Sequence, residues 1–409
     1  MSRLAAAIES VKWKLRGAPL AAEAAWRDGA GPRPVRSPQE HLDATLGWIE
    51  RAHDATGRKG VARSFVLRRH HRYGITGWLP AYPETTGYLI PTLYVAARQL
   101  GRPGLATRAT EMAAWEAEIQ MESGAVRGGT VADEPSPAVF NTGQVLFGWV
   151  TAFEETKERR FLDAAARAAR WLVEQQDGDG SWRRGASKFA APGGHVYNAR
   201  AAWGLCRYGV VARDDAACAA ARRAADFALA QQLPNGWFGD NCLSDPLNPL
   251  THTIAYAAQG VLEIGLLLDE PRFVEAARKT ASGVAAQVGA DGFLAGRLDR
   301  DWRPAVEWSC VTGEAQMVLV WDRLLALAGD AAAETAWRGA ADRALRFACS
   351  TQELAALQGD RDGGRRGGVP GSFPIWGGYG SYENLNWAAK FLADALLGRL
   401  AKQPGGTKG

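Results

Sequence analysis

The sequence predicts an all-α protein in which six helical hairpins close into a ring, an (α/α)6 barrel, and three observations predict it. Apolar residues make up 47% of the 409 positions, which is enough for one large core. A short polar lead-in followed by an apolar, helix-period run recurs six times, and amphipathic segments alternate with these runs. No change of composition along the chain indicates a second domain.

The six apolar runs are predicted to form the inner ring of helices. Each has a small residue where the lead-in meets the run, and these junction residues are spaced by 56, 56, 56, 58 and 75 positions. The runs are apolar on nearly all sides, which is typical of buried helices. Small side chains at the junctions suit helix ends that converge around one axis. The junction residues are Gly87, Gly143, Ala199, Ala255, Gly313 and Ala388.

The amphipathic, Ala- and Arg-rich segments are predicted to form the outer ring. They carry apolar residues at i, i+3 and i+4 with charged residues opposite, so one face is exposed to solvent. Several end in a Gln followed by a Gly- or Asn-containing turn and an aromatic residue, and Gln120, Gln176 and Gln232 are again 56 positions apart. The predicted outer helices cover residues 38–55, 104–120, 159–176, 214–232, 270–288 and 331–352.

The turns "QQDGDGSW" and "QQLPNGW" resemble the repeats of squalene and hopene cyclases and of the protein prenyltransferase β subunit. The predicted toroid also resembles carbohydrate-active enzymes, namely unsaturated glucuronyl hydrolases, N-acylglucosamine 2-epimerases and the helical domains of heparinase-type lyases. Nearly the whole chain, including "AYPETTGYLIPTL", "CVTGEAQM" and "GSFPIWGGYGSYENLNWAAKFLADAL", is similar to a poorly characterised bacterial group associated with polysaccharide biosynthesis. These resemblances imply a helical toroid with a carbohydrate-active site.

The chain ends and the charge pattern narrow the class of protein. Residues 1–37 are predicted to form a helical extension, 38–400 the toroid and 401–409 a disordered tail. Glu9 and Lys12 interrupt the N-terminal apolar stretch too early for a signal peptide, and no run is long enough to span a membrane. An odd number of cysteines without a CxxC motif favours free thiols in the cytoplasm. The net charge of +4, spread over outer helix faces, predicts no nucleic-acid binding.

The lead-ins to the inner helices concentrate polar and aromatic residues of the kind that sugar sites contain. Because the lead-ins meet at one mouth of the ring, we expect their side chains to surround an axial pocket. Aromatic rings stack on pyranose faces, while carboxylates, amides and imidazoles bond hydroxyls and move protons. The candidate catalytic residues are Glu84, Glu314, Glu383, His252 and Tyr197. The candidate substrate-binding residues are Tyr82, His70, His71, Arg72, Asn141, His195, Asn198, Asp240, Trp308, Trp376, Tyr379 and Tyr382.

Three reactions on a glycan or glycosylated intermediate fit these residues. A glycoside hydrolase would use two of Glu84, Glu314 and Glu383 as acid and base or nucleophile. In a uronate lyase or an epimerase, a Tyr or His would remove the proton next to a uronate carboxyl, and Arg72 or Asn198 would neutralise that carboxyl. No cofactor and no metal is expected. A non-catalytic toroid that binds a glycan or a partner protein stays open, and the sequence does not predict the oligomeric state.

Terpenoid cyclase or prenyltransferase chemistry is the alternative that the turn repeats imply. The sequence lacks the DxDD and DDxxD motifs of such enzymes, and the adjacent Asp214 and Asp215 are predicted to cap an outer helix. Asp240, Cys242 and His252 resemble a prenyltransferase zinc site, but the His follows the Cys by only 10 positions. We expect Cys242 to be a buried free thiol. Each lead-in residue also has a structural alternative, as a helix cap or as a packing residue.

Overall fold

The predicted (α/α)6 toroid is confirmed by the computed structural model, which describes residues 19–186, 190–327, 330–355, 360 and 362–402. A first helix, α1, covers residues 19–29, and outer and inner helices then alternate. The outer helices are α2 (Pro38–Asp54), α4 (Pro103–Glu118), α6 (Arg159–Gln175), α8 (Asp215–Ala230), α10 (Pro271–Ala285) and α12 (Ala331–Thr351). The inner helices are α3 (Pro83–Leu100), α5 (Val139–Thr156), α7 (Ala199–Ala212), α9 (Thr251–Leu267), α11 (Val311–Leu325) and α13 (Asn386–Ala401).

The inner helices form a closed ring. Each packs against the next, and α13 packs against α3. Each outer helix covers one inner helix, and α2, the first of them, covers α13, the last. The predicted outer segments are confirmed with ends that differ by three residues or fewer. The core therefore lies inside the inner ring and between the two rings.

Small junction residues let the inner helices approach one another closely. All six lie in inner helices, as predicted. A Cβ added at Gly87 would come within 2.5 Å of the Val145 Cα on α5. Gly143 lies comparably close to Ala201 on α7, and Gly313 lies close to Thr251 on α9. A larger side chain at these points would hold neighbouring helices apart.

The repeated Gln at the ends of outer helices links neighbouring repeats. Gln176 follows α6, and its Nε2 donates to the carbonyl of Gly180 in its own turn (3.0 Å) and to the carbonyl of Ala220 on α8 (2.8 Å). Gln120 and Gln232 make the equivalent pairs of hydrogen bonds. The glutamines spaced 56 positions apart therefore have one structural role, because the side-chain amide of each fastens its own turn to the next outer helix.

Short strands join the lead-ins at one mouth of the ring. Strand β1 (Ser64–Val66) pairs antiparallel with β2 (Gly77–Trp78) and β5 (Glu383–Leu385), while β3 (Ser309–Cys310) pairs with β4 (Ser372–Phe373). The lead-ins of the first and last inner helices, more than 300 residues apart in sequence, are thereby joined at the rim.

Caps define several helix starts. At α2, the Ser37 side chain accepts from the Glu40 N–H (3.2 Å) while Glu40 accepts from the Ser37 N–H (3.0 Å), which forms a capping box. Asp214 caps α8 by accepting from the Ala217 N–H (3.0 Å), as predicted. Helix α1 falls within the predicted N-terminal extension, but residues 1–18 and 403–409 lie outside the described residues. The domain boundaries therefore stay a prediction. None of the described helices has the length and apolar character needed to span a membrane.

Candidate active site

A cavity of about 120 Å³ lies at the mouth where the inner helices begin. Its walls come from the N-terminal ends of α3, α5, α9 and α13 and from the loops that precede the inner helices. Because N-terminal helix ends carry partial positive charge, the cavity favours anionic groups and hydrogen-bond acceptors. The lining residues are Arg63, Tyr82, Glu84, Phe140, Tyr197, Leu243, His252, Thr253, Tyr256, Tyr379 and Trp387.

Among the described residues that line this cavity, Glu84 is the one with a carboxyl group. It is the second residue of α3, and its Oε2 accepts a hydrogen bond of 2.5 Å from the Tyr82 hydroxyl. Burial raises the pKa of Glu84 to about 7, although the Tyr82 hydroxyl and the Arg63 guanidinium both lower it. Near neutral pH this carboxyl can therefore carry a proton, as a general acid requires.

His252 supplies a neutral imidazole. Its Nδ1 lies 2.5 Å from Oε1 of Gln316 on α11, and because the amide oxygen accepts, Nδ1 carries the proton. Burial lowers the pKa of His252 to about 3, so the ring stays neutral at physiological pH and Nε2 keeps its lone pair. His252 is thus a hydrogen-bond acceptor and a weak base.

Aromatic rings form most of the remaining wall. The ring centroid of Phe140 lies 5.5 Å from that of Tyr197 and 5.0 Å from that of Tyr256. The Trp387 Nε1 donates to the Tyr379 hydroxyl at 2.9 Å. Burial raises the pKa of the Tyr197 and Tyr256 hydroxyls, so both stay protonated. The wall therefore offers flat apolar surfaces edged with hydroxyl groups.

A wider cleft of about 520 Å³ adjoins the cavity at the rim. Arg63, which lines the cavity, donates from Nη1 to Glu383 in the cleft wall (2.7 Å), and the Ser64 Oγ donates to the same carboxylate oxygen (2.8 Å). The Nε2 of His70 lies 3.5 Å from the other Glu383 oxygen. The Arg63–Glu383 ion pair therefore stands between cavity and cleft. The cleft is mainly basic and is lined by Val66, Arg68, Arg69, His70, His71, Gly74, Ser381, Tyr382 and Glu383.

The prediction that three carboxylates share one pocket is wrong. Glu84 lines the cavity and Glu383 lines the cleft, whereas Glu314 is fully buried and lines neither. The Glu314 Oε1 accepts from the Leu294 N–H (3.0 Å) and from the Ser309 Oγ (2.5 Å), so it fastens the loop between α10 and α11. Burial raises the pKa of Glu314 well above its ordinary value. Its role is therefore structural.

Three further predicted residues do not line the cavity. Asn141 donates from Nδ2 to the carbonyl of Arg127 (3.0 Å), which holds the preceding loop. The Nε2 of His195 lies 2.7 Å from the carbonyl oxygen of Ala191. Asn198 is buried in the short 3-10 helix Val196–Asn198 that precedes α7. The side chains of Asn141 and His195 therefore hold the loops that lead into α5 and α7.

The zinc-like arrangement does not assemble. Asp240 is exposed and bonds the Val196 N–H (3.1 Å) through its backbone carbonyl. Cys242 is buried, and burial raises the pKa of its thiol. Within the described ranges, no three or more His, Cys, Asp or Glu side chains are grouped so that they could hold a metal ion.

The remaining predicted residues lie at the rim. His70, His71 and Tyr382 line the cleft. Arg72 forms an ion pair with Asp133 at 2.6 Å and lines neither the cavity nor the cleft. Trp308 packs against the backbone at Gly377 and Gly378, whereas Trp376 is 46% exposed. The two tryptophans therefore do not form a stacking platform in the cavity.

Several lining residues are not predicted from the sequence. Phe140 stands three positions before its junction residue, as Glu84 and His252 do in their own repeats, so the repeat carried a signal for it. Arg63 reaches the cavity from the start of β1, and nothing in its local sequence distinguishes it. The residues not predicted are Arg63, Phe140, Leu243, Thr253, Tyr256 and Trp387.

Comparison with known proteins finds solved structures of similar fold. A scan against protein-family models finds no match, and a search of curated proteins finds none. Among solved structures, the chain is similar to an unsaturated glucuronyl hydrolase from Bacillus sp. GL1 described as responsible for glycosaminoglycan degradation, at 14% identity and a TM-score of 0.69 over 90% of this chain and 97% of that chain. It is also similar to an unsaturated glucuronyl hydrolase specific for heparin (14%, TM-score 0.66, 90% and 99% covered).

A third similar structure is a novel alpha-amylase from Clostridium perfringens (12% identity, TM-score 0.62, 90% of this chain and 99% of that chain covered). At these identities the likeness concerns the fold. Over nine tenths of its length, this chain has the α/α-toroid fold of the unsaturated glucuronyl hydrolases.

Proposed function

We propose that this protein is a carbohydrate-active enzyme of the glycoside hydrolase type, with the mouth cavity as its active site and Glu84 as its proton donor. The observation that carries the proposal is the Glu84 carboxyl, held against the Tyr82 hydroxyl in an aromatic cavity with a pKa of about 7. A glycosidic oxygen leaves readily only when it is protonated, and a carboxyl with this pKa supplies that proton at neutral pH.

The size of the cavity limits its occupant to one sugar unit at the end of a chain. At roughly 30 Å³ for each water molecule, a cavity of about 120 Å³ holds on the order of four waters, so it has room for no more than one sugar unit. The aromatic walls suit the apolar faces of a pyranose, and the Tyr hydroxyls and His252 suit its hydroxyl groups. The adjoining cleft has room for the rest of the chain. We therefore propose action on a terminal unit.

The charge of the cleft favours an acidic glycan. Arg68, Arg69 and His71 are exposed in its wall, and among the described residues that line it Glu383 is the one carboxylate. Arg63 donates to Glu383 and Ser64 only from Nη1, and its Nε and Nη2 have no hydrogen-bond partner within the described residues. These donors suit a uronate carboxylate. The glucuronyl hydrolases with the same fold act, by name, on glucuronyl units, which agrees with this choice of substrate.

Protonation states favour hydrolysis over proton abstraction. A lyase or an epimerase needs a base, but His252 with a pKa of about 3 is a weak one, and burial raises the pKa of the Tyr197 hydroxyl. In hydrolysis, Glu84 gives its proton to the oxygen of the bond that breaks. Water then adds its oxygen to the sugar carbon and returns a proton to Glu84. We also propose, from the sequence, that the enzyme works in the cytoplasm and takes part in polysaccharide biosynthesis.

The test compares wild type with Glu84→Gln on unsaturated glucuronyl disaccharides from heparin and chondroitin sulfate, with maltotriose as the neutral substrate. Because the amide keeps the shape but cannot donate a proton as an acid does, kcat/KM should fall by about 10²- to 10⁴-fold. The matched control is Glu116→Gln, which alters a fully buried carboxyl on outer helix α4 and should keep full activity.

Equal activity of wild type and Glu84→Gln would remove Glu84 as the proton donor. Saturable binding of these disaccharides by wild type, without release of any product, would instead establish a glycan-binding toroid.

A further inference from the structure

A second cavity, of about 210 Å³, lies inside the inner ring toward the opposite mouth. The ring centroid of Phe391 lies 5.8 Å from that of Tyr88 and 6.0 Å from that of Tyr256. Tyr256 lines the candidate active site and Tyr88 lines the second cavity, so this aromatic layer separates the two. The second cavity is thus distinct from the site proposed above, and the inference drawn from it does not depend on that function.

Arg200 is the unusual residue of this cavity. It lies near the start of α7 and is only 2% exposed, yet within the described residues no carboxylate forms an ion pair with it. Its Nε donates to the Gln144 side-chain oxygen (3.2 Å) and its Nη1 donates to the Gln259 side-chain oxygen. Its Nη2 has no hydrogen-bond partner in the described part of the chain. A buried cation is ordinarily paired, so this arrangement calls for an anion.

Aromatic rings hold the Arg200 guanidinium in place. Its Cζ lies 4.9 Å from the Trp203 ring centroid and 5.2–5.3 Å from three further ring centroids, those of Phe147, Tyr256 and Phe391. Such cation–π contacts partly offset the cost of burying the charge and fix the plane of the guanidinium. The hydrogen bonds to Gln144 and Gln259 occupy Nε and Nη1 and so fix one edge of the guanidinium. The free edge is therefore preorganised for a ligand that reaches it through the cavity.

The neighbouring charges leave Arg200 uncompensated. Asp394 accepts from Lys390 Nζ (2.5 Å) and from Thr92 Oγ1 (2.7 Å), so its two oxygens are already used. Arg207, at the outer side of the cavity, pairs with Glu154 at 2.7 Å. Each of these acids already has its own basic partner. Lys390 is offset by Asp394 in the cavity wall and Arg207 by Glu154 outside it, so the charge of Arg200 is the one without an ion-pair partner among the described residues that line this cavity.

We infer that the second cavity binds a small oxyanion, of phosphate size and charge, on the free edge of Arg200. A planar guanidinium with two adjacent donors matches phosphate oxygens. A volume of about 210 Å³ admits such an anion with several waters, or a phosphate carried by one sugar unit. Inorganic phosphate and a sugar phosphate present the same group to Arg200, so both serve as probes.

The experiment is titration calorimetry of the full chain with inorganic phosphate and with glucose 6-phosphate, at constant ionic strength, with glucose as the uncharged control. Wild type should bind one equivalent of at least one phosphate probe at Arg200, and any binding of glucose at the mouth cavity should be the same in wild type and in Arg200→Met. Arg200→Met keeps an unbranched apolar stem among the same rings, and affinity should fall at least tenfold. Asp394→Asn keeps the bond from Thr92 but removes the negative charge beside Lys390, so affinity should rise severalfold.

Because one variant weakens and the other strengthens binding, a general loss of folding cannot imitate the expected pair of results. The surface control is Arg222→Met on α8, which should bind as wild type does. The cleft control is the double change Arg68→Gln and Arg69→Gln. Absence of saturable binding up to about 10 mM would overturn the inference. So would binding that survives Arg200→Met, or binding that is lost instead in the Arg68/Arg69 variant.

Discussion

The hydrogen bond from Tyr82 to Glu84 and the burial of both side chains act on the same carboxyl in opposite directions. Burial favours the protonated form and raises the pKa of Glu84 to about 7, whereas the Tyr82 hydroxyl stabilises the carboxylate and so lowers it. The two residues stand only two positions apart, on either side of the first residue of α3. A single hydroxyl thus adjusts the acidity of the proposed proton donor.

Tyr82→Phe should therefore raise the pKa of Glu84 further. If Glu84 acts in its protonated form, activity is lost as pH rises through that pKa, so the alkaline limb of the kcat/KM profile should move to higher pH by roughly 0.5–1 unit. The measurement is kcat/KM against pH on the substrate that wild type turns over. Tyr94→Phe, on the same helix but bonded to Thr110, should leave the limb unmoved. A shift to lower pH would contradict the assignment of Glu84 as the acid.

At the scale of elements, close contact between inner helices sets the width of the ring. Gly87 on α3 faces the backbone of α5, while Gly398 on α13 has no atom within 4 Å of an added Cβ. Both are helical glycines with ordinary helical φ. The same substitution therefore tests two opposite effects: steric overlap between helices at Gly87 and helix propensity alone at Gly398.

Gly87→Ala should lower the free energy of unfolding by about 1–3 kcal/mol, because α3 and α5 must move apart to accept the methyl group. Gly398→Ala should raise it by about 0.5–1 kcal/mol, because alanine restricts the unfolded chain and fits a helix better. Urea denaturation of both variants measures the difference. Equal effects of the two changes would show that helix contact does not limit the residue at position 87.

At the scale of the whole molecule, the N-terminal segment fastens the last third of the chain. Arg33 lies between α1 and α2, and its Nη2 pairs with Asp28 (2.8 Å) while its Nε pairs with Glu353 (3.3 Å) beyond α12. Asp28 also accepts from the Ile375 N–H (2.7 Å). These largely buried ion pairs and hydrogen bonds join the segment that precedes α2 to the loop between α12 and α13.

Arg33→Met should lower the free energy of unfolding by about 1–3 kcal/mol, because the buried Asp28 loses its ion-pair partner and Glu353 keeps only Arg27. The control is Arg36→Met, which removes an exposed ion pair with Glu40. This change should alter the free energy of unfolding by less than about 0.5 kcal/mol. Chemical denaturation followed by tryptophan fluorescence and by circular dichroism gives both values. Stability of Arg33→Met at the level of Arg36→Met would mean that the segment does not contribute to the closed ring.

The sequence alone determined the ring and its repeat. Helical period, apolar content and the intervals of 56 are local properties, so they predicted both rings, the junction residues and the Gln-containing turns. The lead-ins were also predicted as the place of the candidate site, and Glu84, His252, Tyr82, Tyr197 and Tyr379 do line the cavity. Local patterns suffice here because the spacing of apolar residues within each repeat indicates its helices without reference to the other repeats.

Only the tertiary structure decided which lead-in side chains face the axis. Glu314 stands one position after its junction residue, whereas Glu84 and His252 stand three positions before theirs, so Glu314 lies about one helical turn further along its helix. Glu314 consequently bonds an outer loop. The Arg63–Glu383 pair and the uncompensated Arg200 arise from contacts between distant repeats. Such contacts depend on how the ring closes, and no local pattern in the sequence records them.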